Sequence, residues 1–339
     1  MIKICLTIAL LAVAIGSAQD GPYKVLKTAK VGGAGGFDYV YADPAGRRLY
    51  VARSGNPGGR ITVFNLDTLE SVGEIADTSA HGAVVDAKSH HGFASSKPVT
   101  MFDSKTLAVI KKIDVEGSPD GMLQDDFNGH VYVLSHRDPN VTVIDAKDGA
   151  VLGTIDLGGA PEQAVSDGKG HLYIDIEDKD NIAVVDAKTM KVTSHYDISS
   201  KGGTCAGLAM DVKNGILFAA CRKPQMMVIL KAEDGKILDA LPLGAGTDGA
   251  VFNPKTMEAF SSQGDGTLTV IKENSPTSFA VEQTVATPQR AKTLTLDSKT
   301  GKILLIMAEF QPALTPPPGG RAGRGSIVPD SFSVVVVGK

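Results

Sequence analysis

The chain has 339 residues, 34 basic against 38 acidic side chains for a net charge of −4, 42% hydrophobic residues, no Trp and three Cys. That balance excludes a general electrostatic pull toward nucleic acid or an anionic membrane surface. No long stretch carries apolar residues at three-to-four spacing, so helical bundles and helical repeats are excluded, while 38 Gly suit many short strands joined by tight turns.

Met1 to Ala18 reads as an export leader: Lys3 is the positive start, Ile4 to Ile15 the apolar core, and Gly16-Ser17-Ala18 the small residues before a cleavage point. The apolar run is too short to span a bilayer, and no later segment replaces it. The expectation is a periplasmic or secreted protein in which residues 19–339 form one domain.

Tyr23 to Val31 alternates like a strand but precedes any complete repeat. Gly32 to Gly36 would be a phosphate cradle only if it opened a helix; a strand pattern from Phe37 follows instead, so the run reads as a flexible crossing. From there the chain repeats. A polar turn residue and the residue seven places on recur as Asp43/Tyr50, Asp86/Phe93, Asp125/Tyr132, Ser166/Tyr173, Asp211/Phe218, Asn253/Phe260 and Asp297/Leu304, at spacings of 39 to 45 residues. Leu123 to Ile144 shows the unit most clearly, as three alternating runs separated by a turn and a loop. A period near forty with several short strands per unit predicts a seven-bladed β-propeller of four-stranded antiparallel blades.

Phe332 to Val337 matches the third strand of a unit, and no fourth follows it. Tyr23 to Val31 is therefore predicted to complete blade seven and close the ring without leaving a sheet edge. Residues 311–330, rich in Pro and Gly, interrupt the same blade as a loop insertion carrying Arg321 and Arg324. Counting outward from the Asp211 to Gly215 turn places Cys205 opposite Cys221 on neighbouring strands. In an oxidising compartment this predicts a disulfide, with a reactive thiol pair as the competing reading.

Runs such as Tyr50-Val51-Ala52-Arg53 and Tyr132-Val133-Leu134-Ser135, followed by Val141-Thr142-Val143-Ile144-Asp145, resemble the YVTN repeat of exported, YncE-like seven-bladed propellers. The resemblance covers nearly all of the mature chain and implies the same fold and export. Relatives of that group include binding modules and adhesion-like surface proteins, and more distant propellers are lyases, lactonases or quinone-linked dehydrogenases.

The first strand of each propeller blade lines the channel. Five places before each turn residue stand Asp38, His81, Asp120, Pro161, Ala206, Asp248 and Lys292, with Glu162 one step on. Three Asp, a Glu and a His on one ring suit a hard cation, so a divalent metal is one reading, and acid–base work is another. The competing account is that Asp120-Gly121 and Asp248-Gly249 bond backbone amides where the strand begins. Outside the ring, Arg53, Arg60, Lys97, His136, Arg137, Lys179, Arg222 and Lys223 are expected on loops as a cationic rim, with His136 further out. Few aromatics accompany them, which disfavours single-stranded nucleic acid.

The function expected is binding by a monomer, at the channel mouth, of a small polar ligand, an envelope component or a protein partner. The ligand-binding residues would be Asp38, His81, Asp120, Glu162, Asp248 and Lys292, with Arg53, Arg137 and Arg222 as the rim. No cofactor is otherwise called for. The alternative is a metal-dependent lyase or lactonase that uses the acidic ring.

Overall fold

The structure is a computed structural model that describes residues 21–55, 58–138, 140–312 and 325–339. These form seven four-stranded antiparallel sheets arranged as the blades of a β-propeller, with no helix among them. The proposed leader and residues Arg321 and Arg324 of the insertion lie outside the described residues.

The repeat maps onto the blades residue by residue. Inner strands run Gly36–Asp43, Ala80–Asp86, Pro119–Asp125, Pro161–Ser166, Cys205–Asp211, Thr247–Asn253 and Leu294–Asp297. Each therefore ends on the polar turn residue of its copy. Those residues are there because a short polar side chain can bond the backbone just beyond it. Asp43 accepts from the Gly46 amide at 2.9 Å, Asp86 from Ser89 at 2.7 Å, Asp211 from Lys213 at 3.0 Å and Asn253 from Lys255 at 3.0 Å. The partner seven places on sits in the second strand with its ring between blades; Tyr50, Phe93, Tyr132, Phe218 and Phe260 are all buried. Seven apolar clusters result, each shared by two successive blades, so the core is a ring of interfaces rather than one centre.

Blade seven closes as its missing strand requires. Lys24–Lys30 pairs antiparallel with Ser333–Gly338, completing a sheet whose other strands are Leu294–Asp297 and Lys302–Met307. Tyr23 fastens this strand to blade six. Its backbone exchanges two hydrogen bonds with the Gln283 amide at 2.9 and 2.8 Å, its hydroxyl donates to the buried Glu258 carboxylate, and its ring meets Phe260 edge-on. Lys339 reaches the same carboxylate at 2.9 Å. At the turn end, Arg47 of blade one forks onto Asp297 of blade seven at 2.9 and 2.8 Å and also binds Asp67. The seam is thus held by a strand, a clasp and an ion pair.

Cys205 and Cys221 are directly opposed in blade five and joined as a disulfide, S–S 2.02 Å. The insertion leaves blade seven between its second and third strands, where Phe310 and Ile327 pair across its base.

One feature of the inner strands bears directly on the channel. In six of the seven, the pairing register slips by one extra residue between Phe37 and Val40, Ala80 and Ala83, Pro119 and Met122, Pro161 and Ala164, Cys205 and Gly207, and Thr247 and Ala250. A β-bulge bends its strand and re-aims the side chain it carries. Asp38, His81, Asp120, Glu162, Ala206 and Asp248 all lie inside these slips.

Candidate functional site

Bulges at one height in successive blades turn their side chains toward one mouth of the channel. The backbones there are close. A Cβ on Gly121 would lie 2.7 Å from the Glu162 carbonyl oxygen, and one on Gly207 would lie 2.6 Å from the backbone of Gly249. Such contacts, rather than amide capping, account for the glycine that follows Asp120 and Ala206.

Around the mouth the charged side chains form a connected series. His81 Nδ1 lies 2.8 Å from Asp38 Oδ2 and 3.5 Å from Asp120 Oδ1. The other oxygen of Asp120 lies 3.3 Å from His136 Nε2, which is 3.5 Å from Glu162 Oε1. Glu162 hydrogen-bonds Glu177, and Glu177 binds Arg222 at 2.6 Å. Arg222 then pairs with Asp248, which also binds Lys292. Every blade contributes to this series.

The two halves differ electrostatically. From blade one to blade four the charges are carboxylates interleaved with imidazoles. Burial pushes the Glu162 carboxyl up to about 9, helped by Asp175, Glu177 and Asp120. Burial also raises Asp120, opposed by His81 and increased by Asp38. Asp175, on the second strand of blade four, is wholly buried and pushed up to about 8. The hydrogen bond that His81 donates to Asp38 raises its imidazole pKa against the effect of its burial. From blade four to blade seven, in contrast, Glu177, Arg222, Asp248 and Lys292 alternate in sign.

Below the ring two side chains cross the channel. Tyr39 of blade one donates to the Glu162 carbonyl of blade four at 3.2 Å. Gln163 of blade four accepts from Leu208 in blade five at 3.1 Å and donates to the Ala250 carbonyl in blade six at 3.1 Å. They make the mouth a floored cup. Beside it, between blades six, seven and one, is a cavity of about 400 Å³ lined by Phe37, Arg290, Lys292, Phe310 and Ile327. Arg290 stacks on Phe310 at 3.9 Å, and its Nη1, shielded from solvent, has no hydrogen-bond partner among the described residues.

Asp38, His81, Asp120, Glu162, Asp248 and Lys292 thus share one ring, and Arg222 joins it rather than standing outside. Arg137 is exposed on the loop beyond. Arg53 is a correction: it is 1% exposed, its guanidinium lies 3.4 Å over the Phe332 ring, and it donates to the Gly32 carbonyl. Burial, reinforced by Arg60, pulls its pKa down to about 10. The glycine crossing folds over it, since a Cβ at Gly33, whose φ is +87°, would lie 2.8 Å from the guanidinium. His136 is a second correction, because its loop bends inward and delivers the ring to Asp120 and Glu162. The sequence reading passed over Tyr39, Gln163, Asp175, Glu177 and Arg290. For Asp175 a signal existed: an acid inside Tyr173-Ile174-Asp175-Ile176, where the other copies carry small or apolar residues.

No protein-family profile and no curated protein sequence matches the chain. Among solved structures, a chain from the crystal structure of a mitotic checkpoint complex superposes with a TM-score of 0.70. The match covers 90% of this chain and 96% of that one at 11% identity. At that identity the likeness shows the propeller fold alone.

Proposed function

We propose that this chain is an exported propeller of the YVTN-repeat type whose function is to bind a small organic acid at the charged mouth of its channel. The observation that carries the reading is the partly apolar cavity beside the ring, where Arg290 presents a shielded Nη1 with no partner among the described residues, next to Lys292. Ligand sites combine an apolar wall with a few placed polar groups. Here Phe37, Phe310 and Ile327 would take the carbon skeleton, while the two cations take the carboxylate in a charge-assisted contact. Export follows from the leader-like first eighteen residues and from the disulfide, which belongs to an oxidising compartment.

The test is thermal unfolding of the mature protein with benzoate, citrate, gluconate and inorganic phosphate as probes. A ligand at a hundred times its dissociation constant adds about 2.7 kcal/mol, enough to raise the midpoint by several degrees. At least one carboxylate should do so in the wild type and fail to do so in Arg290→Gln with Lys292→Gln. No shift with any probe, or a shift that survives the double substitution, would overturn the reading and turn attention to a protein partner.

One observation favours a lyase or lactonase at the same ring. Burial and the neighbouring carboxylates push Glu162 up to about 9 beside His136, which would suit a general acid.

A further inference from the structure

The mouth carries two sets of metal-type donors that share one residue. Asp38, His81 and Asp120 offer ligand atoms that all lie within 4.8 Å of one another, and so do Asp120, His136 and Glu162. Asp120 belongs to both because its two oxygens diverge, Oδ1 toward His81 and Oδ2 toward His136. We propose that this half of the ring binds two divalent first-row transition ions, with the Asp120 carboxylate bridging them.

Three observations support the pair. Donor atoms around one tetrahedral ion with bonds of about 2.0–2.1 Å stand about 3.3 Å apart. The separations here are 2.8 and 3.5 Å in the first set and 3.3 and 3.5 Å in the second. Each set mixes one imidazole nitrogen with two carboxylate oxygens, a donor combination suited to Zn²⁺ or Mn²⁺ rather than to an all-oxygen Ca²⁺ site.

Second, the bridging residue has an unmet need. Asp120 Oδ1 is shielded from solvent and has no hydrogen-bond partner among the described residues. Behind Glu162, the wholly buried Asp175 likewise leaves Oδ2 without a partner, while its Oδ1 accepts from the Gln163 amide at 2.5 Å.

Third, the asymmetry of exposure is that of an open site. The Asp120 and Glu162 side chains are 17% and 12% exposed, whereas the His81 and His136 side chains are 50% and 38% exposed. Asp120 and Glu162 form the floor, and the imidazoles with Asp38, 31% exposed, the rim, so the free coordination positions would face the mouth. There a carboxylate held by Arg290 and Lys292 could reach them. In that respect the inference deepens the organic-acid reading and rests on it; the ions themselves need only the five ring residues.

The test is equilibrium dialysis of the chelator-stripped mature protein against Zn²⁺ and, separately, Mn²⁺, with bound metal counted per chain. The wild type should take up two ions of at least one of these metals. His81→Ala and His136→Ala should each retain one, and Asp120→Asn should weaken both at least tenfold. Far-UV circular dichroism and the melting midpoint of each variant establish that it is folded. No bound ion, a single ion lost with either histidine, or an Asp120→Asn variant that binds like the wild type would overturn the proposal. Arg290→Gln with Lys292→Gln should keep both ions. Loss of carboxylate binding alone therefore sinks the earlier reading, and absence of metal with carboxylate binding intact sinks only this one.

Discussion

At the turn end of the inner strands Asp297 is held at about 2, while at the mouth end Glu162 is pushed up to about 9. Asp297 is buried and Glu162 largely so, and desolvation raises both. The difference lies in their partners: Asp297 receives the Arg47 fork, the Thr300 hydroxyl and the Lys299 amide, whereas Glu162 faces Asp175, Glu177 and Asp120. Other copies at the turn end share part of this satisfaction: Ser166 donates across to one oxygen of Asp125 at 2.7 Å, while the second oxygens of Asp125 and Asp211 have no partner among the described residues. One end of the channel therefore uses its carboxylates for stability. The other crowds them where a ligand, a proton or a cation would relieve them, as functional sites do.

The largest expected effect tests whether stability resides at the seam and turn end. Removing Tyr23 to Val31 deletes the outer strand of blade seven and the clasp on Glu258, and cooperative unfolding should be lost in differential scanning calorimetry. An unchanged midpoint would break the comparison.

Next is Arg47→Ala, which leaves Asp297 buried without its counter-charge and should cost about 3 kcal/mol, read as a fall of several degrees in midpoint. The pH dependence has a definite sign. The Asp297 carboxyl is depressed from its unfolded value of about 3.9, so its stabilisation is present above about pH 4 and lost as pH falls through about 2. Denaturant unfolding of the wild type and Asp297→Asn should converge across that window.

The last effect, spread over several pH units, sharpens the contrast. With its carboxyl raised from about 4.3 to about 9, native Glu162 keeps a proton that the unfolded chain has released. That contribution is present below about pH 4 and is lost as pH rises through about 9, at up to about 1.4 kcal/mol per pH unit. In metal-free protein Glu162→Gln should flatten the decline between pH 5 and 9 without lowering the midpoint at pH 7. A steeper decline, or a large loss of stability, would place Glu162 with the structural acids.

The blade count, the partners in the closing sheet and the Cys205–Cys221 bridge were legible because each rests on counting. Asx turns act over two or three residues, alternation over a strand, and the deficit of one strand at each end needs only the copies laid side by side. Six ring residues were legible for the same reason, as fixed offsets from a turn. His136, Glu177 and Arg290 were not. They come from the second strands and the connections between strands, whose aim depends on which blade stands next to them.

By itself, then, the sequence determined seven copies of an antiparallel unit, the turn that ends each inner strand, the strand that closes the ring, and a set of acids at one channel height. Only the tertiary structure decided which of these face one another. A bulge re-aims a side chain by an amount no local pattern encodes. It is the packing of one blade against the next that turned Arg53 inward under Phe332, brought His136 onto Asp120, and split a single acidic ring into a carboxylate–imidazole half and an alternating half.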